Sequence, residues 1–139
     1  MSSAHRDRAE LALRMLRGAL PGLRAVYRFG SSGSVYETPQ SDLDLAVWCL
    51  PAVPDDALWW LAQDLAAQCG RDVDLVNLNT ASTVMRHQIV TTGERLFAVP
   101  PLIDIELFET HVLSEYASLN ERRALILQDV LESGVVYGR

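Results

Sequence analysis

Residues 42–49 read Asp-Leu-Asp-Leu-Ala-Val-Trp-Cys. The alternation is that of a β-strand, in which residues i and i+2 point to the same face. Leu43, Leu45 and Val47 therefore share one face and seek burial, while Asp42 and Asp44 emerge side by side on the other. Two carboxylates about 4 Å apart repel by about 4 kcal/mol at an effective dielectric near 20. A fold tolerates that only if something positive sits between them or one acid is protonated. A divalent cation meets the first condition. Magnesium takes hard oxygen ligands and binds through one or two carboxylates plus phosphate oxygens.

The surrounding pattern supplies neighbours for that strand. Apolar residues at Leu11, Leu13, Met15, Leu16 and Leu20 give an amphipathic helix over 5–19, ended by Pro21-Gly22. Residues 23–29 read as a strand, with Val26 and Tyr27 favouring extended backbone. After residues 42–49 comes a helix over 55–68, with Leu58, Leu61 and Leu65 on one face and Gly70 as its stop. Residues 72–78 form a third strand. A helix over 83–92 follows a cap in residues 79–82, then a short strand over 94–98. Beyond Pro100-Pro101, a helical stripe of Ile105, Phe108, Val112, Tyr116, Leu119, Ile126 and Val130 runs over 104–132. Unbroken, that helix spans about 43 Å at 1.5 Å per residue, more than a small domain's width, so part of it overhangs or folds back.

Composition excludes several chemistries. The 139 residues fit one domain, 1–139. All 12 basic side chains are arginine, which rules out a lysine nucleophile, a Schiff base and a Walker-type phosphate loop. A net charge of −6 makes a poor nonspecific nucleic-acid binder, because phosphate neutralisation needs surplus cations. Cys49 and Cys69 lack metal-ligand spacing and read as small core residues of a reducing compartment. The stretch MSSAHRDRAELALRML carries charges where a signal peptide needs an apolar run. No run reaches the roughly 18 apolar residues of a membrane span. We therefore expect a cytoplasmic protein with neither direct nucleic-acid nor membrane contact.

Asp74 lies in a third-strand context, VDLVNL, one helix after Asp44, and completes a carboxylate cluster if the two strands are neighbours. Three carboxylates can hold two magnesium ions, an arrangement that clamps both the attacking and the leaving oxygen in phosphoryl transfer. Upstream, Gly30-Ser31 ends a strand. Glycine lets backbone approach a phosphate closely, successive N–H groups can cradle an anion, and Ser31 adds a hydroxyl donor.

Gly30-Ser31, ten intervening residues, then Asp42-Leu43-Asp44 resembles the signature of the DNA polymerase beta-type nucleotidyltransferase superfamily, and the short chain is similar to its minimal members. Two later stretches, VDLVNLNTASTVMRHQIVTTGERLFA and FETHVLSEYASLNERRALILQDVL, resemble the MntA-type antitoxins, partners of HEPN-domain toxins of the HepT type. The likeness spans roughly residues 24–132. It implies an α/β fold: a small mixed β-sheet with packed helices and a long C-terminal helical segment. It implies that Asp42, Asp44 and Asp74 bind magnesium and act in catalysis, with Asp74 the candidate base, and that Gly30 and Ser31 hold the triphosphate. The implied reaction moves AMP from ATP to a tyrosine hydroxyl of the toxin, an RNase, and releases pyrophosphate. The implied assembly is a hetero-oligomer with that toxin.

The loop SSGSVYETPQ departs from the family pattern in having no arginine; Arg86 and Arg95 are expected to be solvated surface arginines, with supply of positive charge to the site as the alternative reading of either. His87 and His111 lack a partner at zinc-ligand spacing and are expected on helix surfaces, as are Arg122 and Arg123. Adjacent helical residues cannot both face one core, so one of Trp59 and Trp60 is expected to be exposed. Two other readings compete: a binding-only antitoxin with a degenerate site, and a nucleotidyltransferase for small molecules that borrows its substrate domain from another subunit.

Overall fold

The computed structural model describes residues 3–30 and 42–133. In chain order the elements are α1 Ser3–Ala19, β1 Leu23–Arg28, β2 Leu43–Cys49, α2 Asp55–Cys69, β3 Val73–Asn77, α3 Thr83–Thr92, β4 Glu94–Ala98 and α4 Ile103–Ser133. Each lies within a residue or two of the bounds read from sequence. The ends are set by the expected devices. Gly70 closes α2 with φ +70° and an N–H bond to the Ala66 carbonyl. The Ser82 side chain caps α3 by accepting from the Met85 amide at 3.1 Å.

Among the described residues the strands form one sheet in the order β3-β2-β1-β4. β1 runs antiparallel to both β2 and β4, whereas β2 and β3 are parallel. Parallel neighbours need a crossover, which α2 provides. The sheet is therefore mixed, as the sequence resemblance implied.

Alternation along the central strands builds two separate cores. Leu43, Leu45, Val47 and Cys49 of β2, with Leu23 and Val26 of β1, pack against Ala12, Leu16 and Leu20 at α1 and against Leu58, Leu65 and Cys69 of α2. Ala46 and Trp48, with Ala25 and Tyr27, face the other way, onto Ile89 of α3 and Ile105, Phe108 and Val112 of α4. Trp48 stacks on Phe108 with ring centroids 4.5 Å apart. Both cysteines are free and buried, as expected, and burial pushes both thiols above their ordinary range.

α4 belongs to the body only in its first part. At 31 residues it is about 46 Å long. Its buried residues end at Val112, and Leu125, Ile126, Leu127 and Leu131 are exposed, so the overhang expected from length is present. Trp59 and Trp60 are both exposed, at 56% and 66%, where only one was expected to be. The buried stripe of α2 is Leu58, Ala62, Leu65 and Cys69. Positions one and two after Leu58 rotate about 100° and 200° away from it, and the two indoles meet edge to face instead. No helix among the described residues is long and apolar enough to cross a membrane.

Candidate functional site

The acids sit at one end of the face that α3 and α4 cover. Asp44 lies two residues before Ala46 and four before Trp48, so strand periodicity gives it their face. Asp74 shares the face of Val76, which packs on the same cluster. The parallel register sets Asp44 directly beside Asp74. Neighbouring strands lie about 4.8 Å apart, so this pairing is what makes one site of two carboxylates distant in sequence. Asp42 precedes β2 and is exposed, Asp44 is partly buried and Asp74 is exposed on the edge strand.

Backbone bonds stitch the acid-bearing stretch on both sides. The Phe29 amide donates to the Asp44 carbonyl at 3.1 Å, and the Leu43 amide donates to the Asp72 carbonyl at 2.8 Å. The turn after β1 then closes over Asp44. Gly30 has φ +69°, and a Cβ built there would stand 2.4 Å from Asp44 Oδ2. Two independent reasons therefore require glycine, the left-handed backbone and the carboxylate pressed against its Cα. Ser31 and the rest of the loop through residue 41 lie outside the described residues.

Electrostatics single out Asp44. Its carboxyl is held above the usual carboxylate range, first by burial, then by Asp74, then by Asp42, with Arg71 pulling the other way. The donor set is all oxygen and surplus in negative charge, which is what a hard divalent cation fits. Among the described residues no three ligand-type side chains are already closed on a common point. The acids lie at one edge of the sheet, Asp42 and Asp74 exposed and Asp44 partly buried.

The cation at this site is one that sequence reading passed over. Arg71, between the end of α2 and β3, is buried, and its Nη2 donates to the Asp42 carbonyl at 3.0 Å. The available signal was its place, three residues before Asp74. Arg86 and Arg95, the alternative sources of that charge, have other partners. Arg86 binds Glu115 at 3.3 Å and the Asn79 carbonyl at 2.7 Å. Arg95 binds Glu109 at 2.8 Å.

Tyr27, missed by sequence reading, shares the acids' face of the sheet. It is buried, and its hydroxyl donates to Glu109 Oε2 at 3.0 Å. Burial, then the Glu109 charge, raises its pKa, so the phenol stays protonated. The Arg95–Glu109–Tyr27 chain thus fixes α4 to β1 and β4. His111, exposed as expected, pairs with Glu115 at 2.8 Å, while His87 stacks on Tyr116 with centroids 3.6 Å apart. An open groove of about 350 Å³ between α3 and α4 is lined by Thr83, His111, Glu115 and Arg122 but by none of the acids.

Comparison with known proteins extends the geometry. The family described as "Polymerase beta, Nucleotidyltransferase" matches residues 17–100. The chain is 39% identical over 119 residues to the protein adenylyltransferase MntA of Shewanella oneidensis, covering 86% of this chain and 84% of the relative. A solved toxin–antitoxin complex with AMP-PNP superposes with a TM-score of 0.75 at 39% identity, over 86% of this chain and 94% of that one. A structure of the tri-AMPylated Shewanella oneidensis HEPN toxin with its MNT antitoxin gives a TM-score of 0.75 at 36% identity, over 91% and 98% of the two chains.

Proposed function

This chain belongs to the polymerase beta nucleotidyltransferase family, and we propose that it is the antitoxin of a toxin–antitoxin pair, a protein adenylyltransferase that moves AMP from ATP to a tyrosine hydroxyl of a HEPN toxin. The relative at 39% identity carries that enzymatic name, and one of the similar solved structures is of a tri-AMPylated HEPN toxin in complex with an MNT antitoxin. The observation in this chain that carries the reading is the register of Asp44 beside Asp74 beneath the Gly30 turn. Residues 1–139 then act as one nucleotidyltransferase domain in the cytoplasm, where ATP is abundant and buried thiols stay reduced.

The tyrosine oxygen forms a bond to the α-phosphorus, the bond between the α- and β-phosphates breaks, and pyrophosphate leaves. A tyrosine hydroxyl has a pKa near 10, so its proton must be taken as it attacks. In our reading Asp74, exposed on the edge strand, would receive it. Gly30 and Ser31 would hold the triphosphate: Gly30 leaves backbone room, Ser31 adds a hydroxyl. Asp42, Asp44 and Asp74 would hold magnesium, two ions in our reading, which when bound would supply charge neutralisation to the phosphates. Positioning and charge neutralisation carry most of the catalysis of phosphoryl transfer, so a small domain that gathers carboxylates at one sheet edge suffices.

Mixing the protein with its HEPN partner, labelled ATP and magnesium tests the reading. We expect label on a toxin tyrosine. A stable complex without label would instead support inhibition by contact alone, and, with a candidate small-molecule acceptor added, label on that molecule but not on the toxin would support a small-molecule nucleotidyltransferase.

A further inference from the structure

We propose that Arg71 is a positioning residue of this site: its guanidinium, lodged between the acid-bearing start of β2 and the start of β3, holds Asp42 beside Asp44 and Asp74 and offsets their mutual repulsion before any cation arrives. The inference deepens the nucleotidyltransferase reading and rests on it for its catalytic part.

Three observations carry it. Arg71 is only 7% exposed although no apolar pattern calls it inward, and arginine is rarely so buried unless it is held by partners. Its Nη2 donates to the carbonyl of Asp42, the residue that opens the Asp-Leu-Asp stretch, so it acts on the path of the backbone and not only through charge. It stands between α2 and β3, three residues before Asp74, which lies on the strand beside β2. One side chain thus touches the stretch that carries two acids and belongs to the segment that carries the third. The electrostatics agree, since Arg71 opposes the upward push on Asp44 from its two carboxylate neighbours.

The chemistry follows. Three carboxylates gathered without a counter-charge would splay, and the first ion to arrive would meet a site that must be reassembled. A fixed guanidinium keeps them gathered. It cannot replace a metal, because it is bound to a carbonyl and donates hydrogen bonds along a planar fork. It therefore acts behind the ligands, where loss of an orienting partner typically costs about 10- to 100-fold in metal affinity.

The test is a mutant cycle on the full chain. Arg71→Met and Arg71→Lys are each made in the natural sequence and in Asp44→Asn, and thermal unfolding is followed without metal. We expect Arg71→Met to lower Tm in the natural background and to lower it by less than half as much in the Asp44→Asn background, because the charge it offsets is then reduced. Arg71→Lys should recover most of the loss. Equal losses in the two backgrounds would overturn the proposal and leave Arg71 a packing residue. If Arg71→Met does not fold alone but folds with Asp44→Asn, the proposal stands; if it folds in neither, the two Arg71→Lys proteins decide by the same comparison. With toxin and ATP, Arg71→Lys should raise the magnesium concentration for half-maximal transfer about tenfold and leave saturated kcat within about threefold; a fall in kcat alone would count against positioning. Failure of the natural protein to transfer AMP would sink the enzymatic reading and leave the metal-free cycle intact.

Discussion

The two faces of the sheet are made by the same strands yet carry opposite duties. Toward α1 and α2, β2 presents Leu43, Leu45, Val47 and Cys49, all buried and all apolar. Toward α3 and α4 it presents Asp44, Ala46 and Trp48, an acid at the start and packing residues beyond. A one-residue shift of register would exchange the two sets. The first face therefore fixes the second: the Leu-Leu-Val stripe cannot leave the core, so the carboxylates cannot leave the site. Burial does the orienting that the acids, repelling each other, cannot do for themselves.

That division can be broken most sharply at Asp44. Asp44→Asn should reduce AMP transfer by at least about 10³-fold, roughly 4 kcal/mol of transition-state stabilisation, while the metal-free protein unfolds at the same or a higher temperature than the natural one. A large loss of metal-free stability would show that the acid serves the fold. The opposite face should respond in the opposite sense. Leu45→Ala removes a fully buried side chain and should cost about 3 kcal/mol in denaturant unfolding, and at temperatures where the variant stays folded the transfer rate should change by less than about tenfold. Should Leu45→Ala abolish transfer in folded protein, the faces are not separable.

Much of this division is legible in sequence because it depends on period alone. The alternation of Leu43, Leu45 and Val47 with Asp42 and Asp44 predicts which side chains share a side, and apolar period together with cap and stop residues predicts the elements of the described residues to within a residue or two. What period does not encode is who lies beside whom. The pairing of Asp44 with Asp74 required the parallel placement of β3, which the crossover length suggested. The role of Arg71 required knowing that the end of α2 returns to the start of β2, and no local pattern announces that. Tyr27 was read as a strand former, and its bond to Glu109 joins residues 82 positions apart. Trp59 and Trp60 mark the converse limit, since periodicity forbids both from facing the core without saying that both stay outside.

Smaller effects sharpen the contrast. Tyr27→Phe removes a hydroxyl that donates to Glu109 and should cost about 1 kcal/mol of stability, with transfer altered by less than about threefold, since the phenol holds α4 and stands outside the proposed chemistry. A larger kinetic effect would bring Tyr27 into the site. The pH dependence should be smaller still. Asp44 holds its proton to higher pH when folded than when unfolded, so between about pH 4, the ordinary carboxylate value, and its raised folded value the native state binds more protons. Stability from this group is therefore present at low pH and lost as pH rises through that window. The Tm of the metal-free natural protein, taken relative to Asp44→Asn, should fall as pH rises from about 4 and then level off. A relative Tm that rises with pH would mean that Asp44 is stabilised as its anion.

The length of α4 has a consequence for how the molecule comes apart. Among the described residues, its turns from about residue 117 onward are mostly exposed, and an isolated helix of about 12–15 residues is marginal in water. The outer half should therefore fray on a ladder of its own, opening long before the sheet does. Whatever surface finally lies against Leu125, Ile126, Leu127 and Leu131 would then draw the two events into one.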